Sequence, residues 1–339
     1  MSEKEVEKKI SQNDIRPDKF TEGKLAALKA DLDWLISRKS EFVKVNCPAC
    51  DSNLSKDSFE KYTFTFKECT NCKTVYMTPR ANPNLMGEFY ANSKLYEYWD
   101  KYIFPASATA RKERIARPRV QKIISLCKAH DIPMSCLLEV GAGYGTFCEE
   151  ALATKAFERV IAVEPGSALA TSCRKAGIET IEAPIESVEE LPVPPSVIVS
   201  FEVIEHLFSP EALLKNCYDK LSVNGMIVVT CPNFMGFDIH TLRELSDSTD
   251  AEHVNLFNPD SLSLLFERCG YEVIHLATPG FLDAELVREK VIKGEYNLND
   301  QAFLQTVLID KWDELGENFQ TFLRENNLSS HLWMAGIKR

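Results

Sequence analysis

No stretch of this chain comes near the roughly 18 uninterrupted apolar residues that a membrane-spanning helix needs. Its opening, MSEKEVEKKI, has none of the apolar segment that marks a secretory signal. Both absences point to a cytoplasmic protein that uses no membrane. Positive charge is also in deficit: 39 Lys and Arg stand against 50 Asp and Glu, a net charge of −11. Such a field repels polyphosphates unless a basic patch is concentrated locally, so nucleic acid is a disfavoured partner. Internal repeats and low-complexity tracts are missing too, and the chain reads as globular.

What is present begins with 339 residues at 45% hydrophobic content, enough to bury one large core and a smaller unit beside it. Without a secretion signal the eleven cysteines are thiols or metal ligands rather than disulfides. Four stand apart by spacing. Cys47-x-x-Cys50 and Cys69-x-x-Cys72, eighteen residues apart, form two knuckles that can converge on one tetrahedral Zn²⁺. A closed four-thiolate site leaves no position for substrate, so the role expected is structural. The other seven, at 127, 136, 148, 173, 217, 231 and 269, are expected as buried thiols.

The organisation expected is a leader (1–42), a zinc-binding module (43–80) with a strand at Tyr62 to Phe66, an aromatic linker or lid (81–113) and a catalytic domain (114–339). In the leader, Leu25, Leu28, Leu32 and Leu35 recur at helical intervals between Phe20 and Ile36. This amphipathic helix packs on the rest of the protein or serves a partner or a second copy. The linker carries Tyr90, Tyr96, Tyr98, Trp99, Tyr102 and Phe104, which either pack against the domain or stack on a ligand.

From about residue 114, short apolar runs alternate with helical patterns. That pattern predicts an α/β fold with a doubly wound, seven-stranded, mostly parallel sheet. Strands are expected at 136–140, 160–164, 179–181, 196–200, 226–230, 272–276 and 332–337. Helices are expected at about 115–129, 146–154, 167–175, 210–221 and 259–269. An insert at about 281–330 has helical patterns and would form a cap or a partner surface.

The first strand runs into LLEVGAGYGTF, with Gly141, Gly143 and Gly145 just before a helix. Glycines there let a ligand approach the backbone, and the helix N-terminus offers free amides. A dinucleotide fingerprint would want a third glycine at position 146, which is Thr, so a methyl donor is favoured over NAD. The next strand, VIAVEP, ends in Glu164, whose carboxylate can accept both ribose hydroxyl protons of an adenosine.

The fourth strand ends in FEVIEHL, which brings Glu202, Glu205 and His206 to the carboxyl edge of the sheet, where open α/β folds bind ligands. His206 is the candidate general base, with Glu202 and Glu205 as orienting groups. Joined by His253 from AEHVNLF, the same residues form an oxygen and nitrogen set suited to Mg²⁺ or Mn²⁺. A third possibility is that Glu205 and His206 merely cap the following helix. His130, His240, His275 and His331 have no partner visible in sequence, and no catalytic role is expected of them.

In order and at these separations, EVGAGYG, AVEPG, PIES and FEVIEHL resemble class I S-adenosylmethionine methyltransferases over about residues 114–280, with HLWMAGIK as the terminal strand. The resemblance implies that Glu139, Gly141, Gly143 and Gly145 line the methionine part of the donor. It implies Glu164 on the ribose and Ile185 and Glu186 beside the adenine. The E-x-x-E-H step is similar to that of ubiquinone-type O-methyltransferases and small-RNA 2'-O-methyltransferases, where it holds a cation. The knuckles followed by YMTPRANPNLMGEFYANSKLYEYW are similar to sugar methyltransferases of polysaccharide and antibiotic-sugar clusters, in which a histidine at the place of His206 serves near the acceptor. Those enzymes carry a full extra domain where this chain has about 60 residues after Pro279.

The function expected is thus methyl transfer from S-adenosylmethionine to a small polar acceptor, a sugar or sugar-linked metabolite. One rival is cation-dependent O-methylation of a quinone precursor or RNA end. The other is a recruitment protein that docks a partner through its zinc module and terminal helices and only senses the donor.

Overall fold

The computed structural model describes residues 11–339; the first ten residues of the expected leader lie outside the described residues. In chain order the strands are β1 (Ser55–Lys61), β2 (Phe64–Cys69), β3 (Val75–Met77), β4 (Cys136–Val140), β5 (Arg159–Val163), β6 (Glu179–Ile181), β7 (Val197–Phe201), β8 (Met226–Pro232), β9 (Asn255–Leu256), β10 (Tyr271–Ala277) and β11 (His331–Lys338).

Seven of them form one sheet in the order β10-β11-β8-β7-β4-β5-β6. All pairings among β4 to β8 are parallel, and β11 alone runs against its neighbours β8 and β10. Burial on both faces explains why β4, β7 and β8 read as continuous apolar runs. One core fills one face with Leu138, Ile161, Ile198, Ile227 and Met334, and a second fills the other with Leu137, Ala162, Val199, Val228 and Trp333. The chain winds outward from β4 through β5 to β6, then crosses back to place β7 on the other side of β4. That reversal opens a crevice above the carboxyl ends of β4 and β7.

The helices Thr146–Thr154 and Ser167–Lys175 stand where the pattern puts them, and Arg117–Ala129, Pro210–Lys220 and Pro259–Arg268 do so within two residues at each end. Between β10 and β11 the insert folds into helices Asp283–Ile292 and Trp312–Glu325 around Val287, Leu298, Val307 and Leu308. Among the described residues no helix is long and apolar enough to cross a membrane.

The N-terminal part departs from the sequence reading in three places. The expected strand Tyr62 to Phe66 is a turn and half a strand: Lys61 pairs with Phe64, and Tyr62 and Thr63 sit at φ of 51° and 68°. Two left-handed residues make a tight hairpin whose twist matches its strands, here without the Asn-Gly that would have betrayed it. Secondly, β3 pairs with β9, so the small sheet in the order β1-β2-β3-β9 borrows a strand from beyond residue 114. Thirdly, residues 83–129 form nearly continuous helix, from Pro83–Asn92 and Lys94–Tyr98 through Phe104–Arg111 into Arg117–Ala129.

The leader helix spans Thr21–Ser37 and packs Leu32 and Leu35 against Phe64, Phe66, Phe89 and Val254, while Leu25 stays exposed. Its buried Asp31 accepts hydrogen bonds from Ser93 Oγ (2.5 Å) and from the amides of Lys94 and Leu95 (2.8 and 2.9 Å). A carboxylate on free amides at a helix start is stabilised by both hydrogen bonds and the helix dipole, and it ties leader to linker.

Candidate functional site

The glycine loop follows β4. Gly141 and Gly145 hold φ of +77° and +74°, and a Cβ on either would come within 2.6 Å of Val203 or Ile178. Gly143 (φ +57°) has nothing within 4 Å of a built Cβ, so the loop opens there. Glu164, just past β5, reaches across to this loop. Its Oε2 accepts the Gly143 amide and its Oε1 the Gly166 amide, both at 2.8 Å. Burial pushes its carboxyl above the usual range, against the pull of those two amides.

Glu139, on β4, is buried, and burial pushes its carboxyl up to about 8; Oε2 accepts a 3.0 Å hydrogen bond from Cys148. The linker helices lean on the loop: Phe104 packs on Tyr144 with ring centroids 4.7 Å apart and planes tilted by 57°, and the Tyr144 hydroxyl donates to Asp100. Tyr90 and Tyr96, and Tyr98 and Tyr102, pack on each other at 5.6 and 4.8 Å. Ile185 lies in the core against the sheet, while Glu186 beside it is exposed.

Two polar groups follow the carboxyl end of β7. Glu202, in the left-handed region at φ 54°, anchors the first. Its Oε1 accepts from Thr230 Oγ (2.6 Å), His331 Nε2 (2.8 Å) and Arg119 (2.9 Å). Burial opposes the charge, but His331 and Arg119 outweigh it and hold this carboxyl well below the usual range. Of the expected four-residue cation set, the structure brings Glu205, His206 and His253 together, while Glu202 pairs with Arg119 and His331. His331 likewise has the partner that sequence did not show. It enters from the terminal strand, 129 positions from Glu202, and Arg119 enters from the helix before β4.

The second group is Glu205, His206 and His253, whose ligand atoms all lie within 4.8 Å of one another. Both Glu205 oxygens and His206 Nδ1 are buried without a hydrogen-bond partner. Burial, and then the charge on Glu202, raises the Glu205 carboxyl well above the usual range. Burial and the neighbouring His253 push the His206 imidazole down to about 3. His253 Nδ1 sits 2.7 Å from the Ser248 carbonyl, which assigns it as the donor and leaves Nε2 with its lone pair. Orphaned carboxyl oxygens beside imidazole nitrogens are what a divalent cation satisfies, so the trio fits one. The capping alternative fails: Ser209 caps the helix Pro210–Lys220 by accepting the Ala212 amide at 3.3 Å.

The knuckles bring Cys47 Sγ to 3.4 Å from Cys72 and Cys50 to 3.5 Å from Cys69, with all four sulfurs within 4.8 Å. Zn–S bonds of about 2.3 Å in a tetrahedron require sulfurs about 3.8 Å apart, so the residues fit the ion. The hydrogen bond between Cys47 and Cys72 raises the first thiol and lowers the second. The other seven cysteines are buried.

Residues 108–276 match the family model described as a methyltransferase domain. A probable S-adenosylmethionine-dependent methyltransferase of Mycolicibacterium smegmatis is 28% identical over 156 residues, 45% of this chain and 56% of that protein. One of Mycobacterium tuberculosis is 25% identical over 197 residues, 57% of this chain and 66% of that protein. The chain thus spans 56 to 66% of the length of these curated relatives. Among solved structures, a possible histamine N-methyltransferase of Thermotoga maritima is 15% identical with a TM-score of 0.45, over 71% of this chain and 98% of that one. The 1,6-didemethyltoxoflavin N1-methyltransferase of Burkholderia thailandensis is 11% identical with a TM-score of 0.47, over 84% of this chain and 99% of that one.

Proposed function

We propose that this chain, which carries a methyltransferase domain over residues 108–276, transfers the methyl group of S-adenosylmethionine to a small polar acceptor, a sugar or sugar-linked metabolite. The observation that carries the donor is the pairing of Glu164 with the open glycine loop. Its carboxylate sits where ribose hydroxyls can take over from the Gly143 and Gly166 amides as donors. The methionine part then runs along Gly141 to Gly145 toward Glu139, with Ile185 and Glu186 on the adenine side.

In transfer, the bond from methyl to sulfur breaks with its electron pair going to sulfur, and the acceptor bonds to carbon as it loses a proton. The protein's tasks are alignment and removal of that proton. His206 is the base in this reading: burial keeps it neutral, and the same burial opposes the imidazolium, so a bound acceptor must supply the polar surroundings that let it take the proton. Glu205, and Glu202 through the Arg119 and His331 side chains it holds, orient the acceptor's polar groups. The crowd of charged and imidazole side chains favours an acceptor rich in hydroxyls or amines over an apolar one.

A second reading is favoured by the two buried, unpartnered oxygens of Glu205. Here Glu205, His206 and His253 hold Mg²⁺ or Mn²⁺, and the acceptor is a quinone precursor or an RNA end. The bound ion would lower the pKa of an acceptor hydroxyl. His206 then serves as a ligand and not as a base.

The four knuckle cysteines hold structural zinc, and the setting is the cytoplasm, where thiols stay reduced. Calorimetric titration with S-adenosylmethionine, S-adenosylhomocysteine and NAD tests the donor. Binding of both sulfur compounds and not NAD is expected, and binding of neither rejects the proposal. Activity lost in EDTA and restored by Mn²⁺, with zinc retained, selects the second reading.

A further inference from the structure

The zinc module and the loop bearing Glu205 and His206 are joined by a buried polar relay. β3 follows the second knuckle directly and pairs with β9, with Val75 opposite Leu256 and Tyr76 opposite Asn255. Asn258 donates to the Cys72 carbonyl at 3.1 Å and Arg268 to the Ala49 carbonyl at 2.5 Å, so both knuckles are tied to the segment that follows β9.

Asn255 is fully buried, and its amide nitrogen faces three carbonyls of the loop: Ile204 (3.2 Å), Glu205 (3.3 Å) and Leu207 (2.7 Å). Its Oδ1 accepts from Arg80 Nη1 at 2.6 Å. Arg80, only 2% exposed, sends Nη2 to the Phe208 carbonyl at 2.5 Å and lies 5.1 Å from the Phe208 ring. The Arg80 backbone pairs in both directions with Val43, on the segment leading into the first knuckle. A guanidinium buried this deeply and bonded to carbonyl and amide oxygens is expensive in desolvation, and its directional bonds fix the atoms they reach.

We propose that Arg80 and Asn255 are positioning residues through which the metal-loaded cysteine module holds the 204–208 loop, so that the placement of Glu205 and His206 depends on the zinc. The proposal rests on the reading of those two residues as acceptor-side groups. It assigns the zinc module a task beyond its own folding: clamping one wall of the crevice while leaving the donor wall independent.

Hydrogen exchange read by mass spectrometry on the full chain tests this, comparing zinc-loaded protein, protein stripped by a chelator, and zinc-loaded Arg80→Lys and Asn255→Ala. Lysine keeps the charge but cannot bridge Asn255 and Phe208 together. The expected result is exchange about tenfold faster in peptides covering 203–208 in all three altered samples. Peptides covering 137–147 stay as protected as before, and S-adenosylhomocysteine affinity stays within about threefold. Wild-type protection of the loop without zinc, or in both variants, overturns the proposal. So does an equal rise in all peptides, which would mark a general loss of stability. Should S-adenosylhomocysteine fail to bind even the wild type, the donor reading fails, while the exchange pattern still decides the relay.

Discussion

The two walls of the crevice are built on different principles. The proposed donor wall is local: Gly141, Gly143, Gly145 and Glu164 lie within 24 residues just past the ends of two adjacent strands, and backbone amides supply most of its polar contacts. The proposed acceptor wall is assembled from afar. Arg119, Thr230 and His331 converge on Glu202, His253 meets His206, and Arg80 and Asn255 bond to the loop from beside the cysteine knuckles. A donor common to many reactions can be met by a short, self-contained motif. A particular acceptor needs side chains whose positions the rest of the fold supplies.

The largest blow to this contrast falls on the acceptor side's scaffold. Removing zinc, or making Cys69→Ser, should unfold the module, since structural zinc supplies on the order of 10 kcal/mol to a unit of this size. Calorimetric melting should then show an early transition, with the domain built on the seven-stranded sheet melting later. A single unchanged transition would show that the module stands without metal.

Glu164→Ala strikes the donor wall alone. Two hydrogen bonds to a charged group are worth about 3 kcal/mol together, so S-adenosylhomocysteine should bind roughly 10²-fold more weakly in calorimetry. An affinity within threefold of wild type would move the ribose elsewhere. His206→Ala is the mirror experiment: turnover should fall roughly 10²-fold while donor affinity holds. Equal losses in both would mean that the walls are not separable.

The pH response sharpens the contrast further. Burial raises Glu139 from 4.5 to about 8, so the folded state keeps a proton that the unfolded chain has released. Its contribution is fully present below pH 4.5 and is lost as pH rises toward 8. The melting midpoint should decline across that window, and Glu139→Gln should flatten the decline. Asp238 and Glu252, also pushed by burial to about 8, leave a residual slope. The smallest effect is expected at Leu25, which is 54% exposed despite its helical register. Leu25→Glu should change stability by no more than about 0.5 kcal/mol in denaturant titration, against several times that for Leu35→Ala in the same helix.

The seven strands of the large sheet were legible to within two residues at each end, because a buried parallel strand must be apolar throughout and its crossover helix must repeat near every third or fourth residue. The glycine spacing, the acidic strand end and the paired cysteines were legible for a related reason: each is a local motif whose geometry is carried by a few adjacent residues. What escaped was non-local or too short to pattern. β9 has two residues and exists only because β3 offers an edge. The hairpin at Tyr62 and Thr63 uses residues that rarely turn the chain this way. His331 is an ordinary histidine until the reversed strand β11 carries it beside Glu202.

The sequence by itself determined the α/β class, the glycine loop with its acidic strand end and the four-cysteine set, since periodicity and short-range spacing are properties of the chain. Only the tertiary structure decided that Glu202 pairs with Arg119 and His331, that Glu205, His206 and His253 come together, that Asp31 anchors the linker helix, and that Arg80 and Asn255 reach the 204–208 loop. Those choices turn on which polar groups burial brings within 3 Å of one another. The free energy of an unpaired buried charge makes such pairings compulsory, but nothing in residue order says which partner will arrive.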